Sequence, residues 1–280
     1  MSLLWRDQIR IVMSPQQIAM IRLAKGWRRR ITGQCVIPCS AAKPGEAPWR
    51  SALAAVETAL PEFGARKADV VVLLSNHFVR YALVTESDQI SSVDEEQALV
   101  RYSFSSIYGA AADHWALRLS DIDGGDGKRV ASAVDQELPQ ALAALLQPTQ
   151  LKLRSIQPYL MAAFNQWRHR FKKSAWFALV EQGGLCLVKF QNRRWDSIKS
   201  IKIGEDWLHD LTIYLERERV LSGVDAADDA PPIPVFVCAP GCSEITQLQM
   251  EEESLQLLHP SLPPGGDETS IAPFAMALIG

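Results

Sequence analysis

Residues 174–202 read SAWFALVEQGGLCLVKFQNRRWDSIKSIK. Trp176–Val180 is an apolar run, and Glu181-Gln182-Gly183-Gly184 is a turn signal. Leu185–Phe190 is a second β-rich run, Gln191-Asn192-Arg193 a second turn, and Trp195–Ile203 a third strand. Two strands joined by a Gly-containing turn, followed by a third, make an antiparallel meander. A helical stretch follows at Glu205–Val220. The amino-terminal end repeats the plan. Gln8–Met13, the turn Ser14-Pro15-Gln16, Gln17–Leu23, the turn Lys25-Gly26 and Arg29–Ile37 make another meander, followed by a helix over Trp49–Phe63. A plan repeated at about half the chain length predicts a duplicated fold, divided at 1–172 and 173–280.

Between the two meanders, Asp69–Leu74 (DVVVLL) reads as a strand buried on both faces. Phe78–Val84 reads as a strand reached over the turn Ser75-Asn76-His77. A helix over Val93–Ile107 starts at the cap Ser92, with acids in its first turn. His114–Leu119 and Arg129–Val134 form a hairpin, Gln136–Leu146 a helix, Leu151–Ile156 a strand and Pro158–Phe171 a helix with cations at its end. After the second meander come a strand at Val235–Ala239, a short strand at Leu255–Leu258 and an apolar helix at Ile271–Ile279.

The chain has 280 residues, 48% hydrophobic and 22% charged, with a net charge of -3. These values fit a globular protein with a sizeable core and give no global pull toward nucleic acid or anionic membrane. No apolar run reaches the roughly 20 residues a bilayer-spanning helix needs, and residues 1–8 lack a secretory apolar region. A cytoplasmic protein is expected. The five cysteines, in two CxxxC pairs and Cys186, read as reduced thiols. Walker A, GxSxG and HExxH motifs are absent. Asp121–Lys128 (DIDGGDGK) reads as a turn, and His77 and His114 as structural residues. No catalytic or metal-ligating residue emerges. Trp5, Trp49, Trp167 and Trp195 lie at element ends, as core or edge aromatics or as interface anchors.

This order of elements resembles the actin/Hsp70/sugar-kinase superfamily, whose α/β fold is ribonuclease H-like and duplicated into two lobes, each a mixed sheet with flanking helices. The chain resembles PilM, MshI and the cytoplasmic part of GspL, assembly proteins of type IV pili and type II secretion. The resemblance rests on Val70–Val84 with the following Glu95-Glu96 helix, on Val130–Phe164 with Ser155-Ile156-Gln157-Pro158, on Trp176–Phe190, and on Ala275-Met276-Ala277-Leu278. It covers most of the chain by order and spacing rather than by residue identity.

The resemblance implies nucleotide-binding positions at Ser14 and Gln16, at Glu181, Gln182, Gly183 and Gly184, and at Gly241 and Ser243. An active member places Asp and Gly in the first phosphate turn, to hold hydrated Mg²⁺ and let backbone N–H groups approach the phosphates. Here Ser14-Pro15-Gln16-Gln17 supplies neither, and Pro15 removes a donor. The second turn has Glu181 in place of Asp. The resemblance therefore implies a pseudo-ATPase scaffold at the cytoplasmic face of the inner membrane. It would bind the cytoplasmic tail of a bitopic, PilN-like protein, with Mg-ATP as the only cofactor to consider. A small-molecule kinase or ATPase of the same fold is the alternative. Self-association through Ile271–Ile279 is a further reading.

Overall fold

The computed structural model describes residues 6–26, 30–63, 66–85, 92–121, 127–171, 173–221, 233–240, 255–260 and 272–279. The first lobe opens with β1 (Asp7–Met13), β2 (Gln17–Leu23) and β3 (Ile31–Pro38), an antiparallel meander. Helix α1 (Arg50–Phe63) then buries Ala52, Val56, Ala59 and Phe63 on one stripe and leads into β4 (Ala68–Leu74). β4 pairs parallel with β1 on one side and with β8 (Leu151–Pro158) on the other, so the sheet order is β3-β2-β1-β4-β8.

The second lobe has the same plan. β9 (Ala175–Glu181), β10 (Gly184–Gln191) and β11 (Arg194–Lys202) form the meander. After α5 (Trp207–Leu221), β12 (Val235–Cys238) and β13 (Leu255–Leu257) add in parallel, giving β11-β10-β9-β12-β13. All seven residues of β9 are buried, because the middle strand of a two-layered lobe meets side chains on both faces.

The strand-turn-strand expected over Val70–Val84 does not stay in one sheet. A 3-10 turn at Asn76–Phe78 redirects the chain, and β5 (Val79–Thr85) joins a separate antiparallel sheet with β6 (Trp115–Leu119) and β7 (Lys128–Asp135), in the order β5-β7-β6. Helix α2 (Val93–Tyr108) covers this sheet with Val100 and Phe104. Its expected cap is present as a full capping box between Ser92 and Glu95. β11 of the second lobe packs against β5 and β7, so the small sheet lies at the joint between lobes. α3 (Glu137–Leu146) follows β7 and buries Leu138, Leu142 and Leu146.

Two helices differ from expectation. α4 (Tyr159–Trp167) stops before the basic cluster, and Arg168–Arg170 form a 3-10 turn. That turn brings Phe171 into an aromatic stack with Phe164 and Phe190. The carboxyl-terminal segment Ala272–Leu278 is 3-10 rather than α-helical. It packs on β1 and β2 with Phe274, Ala277 and Ile279 buried, so the apolar face proposed for self-association is spent inside the chain. Buried Arg10 on β1 donates to the carbonyls of Ala277 and Ile279 at 3.1 and 3.2 Å. Arg10→Met is expected to cost about 1.5–3 kcal/mol, the worth of hydrogen bonds to a charged group. It should also speed amide exchange across residues 272–279. An unchanged melting temperature and exchange rate would count against this clasp.

One apolar core runs through both lobes, from Ile9 and Val72 to Phe177, Phe236 and Ile279. Trp49, Trp167 and Trp195 belong to it, whereas Trp5 lies outside the described residues. Cys35, Cys39, Cys186 and Cys238 are free thiols. No described helix is long and apolar enough to cross a membrane.

Candidate functional site

The two meanders point their first hairpins at the same place. The β1–β2 turn is held by its own serine. The Ser14 hydroxyl donates to the Gln17 carbonyl at 2.7 Å and accepts from the Gln17 N–H at 3.2 Å. The Gln16 carbonyl takes the Cys39 N–H at 2.8 Å, and the Gln16 side chain is exposed. The β9–β10 turn is a two-residue loop of Gln182 and Gly183 between the paired Glu181 and Gly184. Gly183 has a φ of 75°, the left-handed conformation such a tight turn requires.

Between the turns lies Ser75-Asn76-His77, at the carboxyl end of β4, where parallel sheets gather polar groups. The Ser75 N–H donates to the Met13 carbonyl at 2.9 Å, next to the first turn. The Asn76 N–H donates to Glu181 Oε2 at 2.9 Å, and the His77 ring bonds the Gln182 carbonyl at 3.0 Å. Gly184 leaves room for that ring, since a Cβ there would meet His77 Cε1 at 3.1 Å. Asn76 is fixed in turn by the Tyr81 hydroxyl at 2.6 Å and by the Leu160 N–H at 3.3 Å. Three consecutive residues of the first lobe thus tie both hairpins together.

Glu181 is buried, and that burial pushes its carboxyl up from the ordinary value. Hydrogen bonds from Ser75 and Asn76 and attraction to His77 act the other way. Tyr81 and Tyr159 are raised well above an ordinary phenol, chiefly by burial. Burial likewise lifts the Cys186 thiol and takes Cys238 to about 12. At neutral pH the cluster holds phenols and thiols with their protons on, around one hydrogen-bonded carboxyl. No group of three metal-ligating side chains occurs among the described residues.

The structure thus links Glu181, Gln182 and Gly184 through Ser75–His77, while Ser14 and Gln16 are tied within their own hairpin and its neighbour Cys39. Gly241 and Ser243 lie outside the described residues. Sequence reading missed Ser75 and Asn76. The available signal was a polar triplet directly after the apolar run DVVVLL.

Searches with protein-family models and among curated proteins give no match. Among solved structures, a chain of a PilM-PilN type IV pilus biogenesis complex matches with a TM-score of 0.65 at 15% identity, over 97% of this chain and 96% of that one. A Bacteroides thetaiotaomicron protein of unknown function with an actin-like ATPase fold matches at 0.57 and 8% identity, over 97% and 95%. The chain has the actin-like ATPase fold. The cytoplasmic domain of EpsL, an inner membrane component of the Vibrio cholerae type II secretion system, shares it at 0.55 and 12% identity, over 98% and 95%. Within the actin-like fold, the duplicated meanders and the parallel strands that follow them are the two lobes. The small sheet β5-β7-β6 is inserted in the first.

Beside that insertion lie recesses. One of about 300 Å³ is lined by Ala47, Arg50, His114, Trp115 and Glu137, among others. There the Trp49 indole donates to Asp135 at 2.8 Å, and Arg50 pairs with Glu137 at 2.7 Å, bridging α1 to the end of β7 and the start of α3.

Proposed function

We propose that this chain is an actin-like scaffold of a type IV pilus-like or type II secretion-like assembly platform. It works at the cytoplasmic face of the inner membrane and holds the cytoplasmic tail of a bitopic, PilN-like protein. The observation that carries this reading is the occupation of Glu181. Its carboxyl accepts from Asn76 and Ser75, so the acid that could hold hydrated Mg²⁺ is bonded across the joint instead. The Ser14 hydroxyl is spent in its own turn, and Pro15 has no N–H to offer a phosphate. These residues do not fit Mg·ATP, and the scaffold works without a nucleotide step. The likeness in fold to a chain of a PilM-PilN complex and to the EpsL cytoplasmic domain supports the choice of machine. The recess lined by Ala47, Arg50, His114, Trp115 and Glu137 gives a peptide tail a place to dock.

The test is calorimetric titration of the folded protein with Mg·ATP, and separately with the cytoplasmic tail of a bitopic membrane protein encoded beside it. No heat is expected at millimolar Mg·ATP. The tail is expected to bind with a Kd of about 1–10 μM, or roughly 7–8 kcal/mol. Micromolar ATP binding that Glu181→Ala abolishes would replace the scaffold reading with that of an ATP-binding kinase or ATPase.

A further inference from the structure

The joint between the inserted sheet and the second lobe carries a basic track. A recess of about 470 Å³ opens between β6, β7, the start of α4 and β11. Its apolar floor includes Met161, Phe164 and Trp195, and its rim carries Arg118, Lys128 and Arg168. A second recess of about 550 Å³ shares Lys128 and Trp195 with the first and continues along Asn192, Arg194 and Asp196 at the β10–β11 turn. The two recesses adjoin at Lys128 and Trp195, and together they make up the groove.

The charge along this groove is one-sided. Arg118, Lys128, Arg129, Arg168 and Arg194 line it, against the carboxylates of Asp121 and Asp196. Asp196 already faces Lys189 at 3.5 Å. Lys128 donates to the Asp196 carbonyl at 3.0 Å, which positions it without neutralising it. Arg129 is paired with Glu96, and Arg118 has no acidic partner among the described residues. The chain as a whole has a net charge of -3, so this concentration of cations is local.

The β10–β11 turn adds a second observation. Asn192 and Arg193 have φ of 51° and 66°. A turn of this type is most stable with glycine second, and arginine there is strained. The strained position carries an exposed cation next to the groove.

We infer that this groove is a docking track for an acidic peptide segment bearing a bulky apolar side chain among its carboxylates. The rim cations fit the carboxylates, and the floor around Trp195 takes the apolar group. Trp195 is only 8% exposed at the base of a concave groove, a shape that suits a chain better than the flat surface of a bilayer. This inference uses a different part of the molecule from the hairpin joint and stands whether or not a membrane-protein tail binds.

The test is fluorescence anisotropy of the full chain with a labelled decapeptide alternating glutamate with leucine and tryptophan. Controls are an all-glutamate peptide, a lysine-for-glutamate peptide, phosphatidylglycerol vesicles and a single-stranded DNA oligomer. The acidic-apolar peptide is expected to bind best. The double variant Arg118→Glu/Lys128→Glu should weaken it by about tenfold or more, and added salt should weaken wild-type binding in step. Both side chains are exposed, so the variant should keep the wild-type melting temperature, and exchange protection by the peptide should fall on residues 118–121, 127–132 and 191–196. Binding that the double variant leaves unchanged would overturn the proposal. So would all-glutamate peptide, vesicles or DNA binding as well as the mixed peptide with the same sensitivity to the variant.

Discussion

Phe190→Ala is expected to destabilise the entire chain by about 3–5 kcal/mol, the range for deleting a buried aromatic ring. Phe190 is 1% exposed, stacks on Phe171 at 4.9 Å and on Phe164 at 5.6 Å, and meets Trp195 at a tilt with centroids 4.8 Å apart. Phe164 comes from α4 of the first lobe, and Phe190 and Trp195 come from the second. The ring therefore fills the joint, and its loss leaves a cavity in a core shared by both lobes. Urea denaturation should show one transition for wild type and one, at lower urea, for the variant. Two separate transitions in wild type, or a loss below about 1 kcal/mol, would mean that the lobes fold independently.

Glu181 should show a second large effect, and one that depends on pH. Glu181→Ala leaves the Asn76 N–H and the Ser75 hydroxyl without their acceptor, at a cost of about 2–4 kcal/mol. Glu181→Gln separates charge from hydrogen bonding. The folded carboxyl holds its proton to higher pH than the unfolded one, because burial raises it. The folded state therefore binds more protons than the unfolded state in a window that opens near the ordinary glutamate value of about 4.3 and closes at the raised folded value. Wild-type stability falls as pH rises through that window and is level above it. The glutamine variant has no such fall, so its deficit relative to wild type should shrink between about pH 4 and neutrality. Thermal melts across that range read the difference directly. A deficit that grows with pH would mean that the joint is built for the ionised carboxylate.

Local pattern carried much of the architecture. The apolar runs of β4 and β9 and the Gly183 turn announce buried strands and a hairpin without any partner in view. Ser92 and Glu95 announce the start of α2 because a capping box lies within one turn of helix. What stayed hidden depended on distant partners. Phe78–Val84 reads equally well as a strand of either sheet, and only its pairing with residues 128–134, about fifty positions on, decides between them. Ser75-Asn76-His77 reads as an ordinary turn because Glu181 and Gln182, which give it meaning, are 105 positions away. The 3-10 form of residues 272–278 is set by the surface of β1 and β2 on which they lie, and an apolar septet does not encode that surface. The β1–β2 and β9–β10 hairpin turns could be placed by order and spacing. The direction in which Glu181 points could not, since it follows from how the lobes close.

The Arg10 clasp bears on how the chain is made. Arg10 and Ile279 are 269 positions apart, and ribosomes add about 5–20 residues each second. The first lobe's opening strands thus leave the exit tunnel roughly a quarter-minute to a minute before the segment that covers them. Through that interval the strip of β1 and β2 beneath Phe274 and Ala277 faces solvent. A nascent chain stalled before residue 272 should therefore be held by general chaperones through its first lobe, and released once residues 272–279 settle over Arg10.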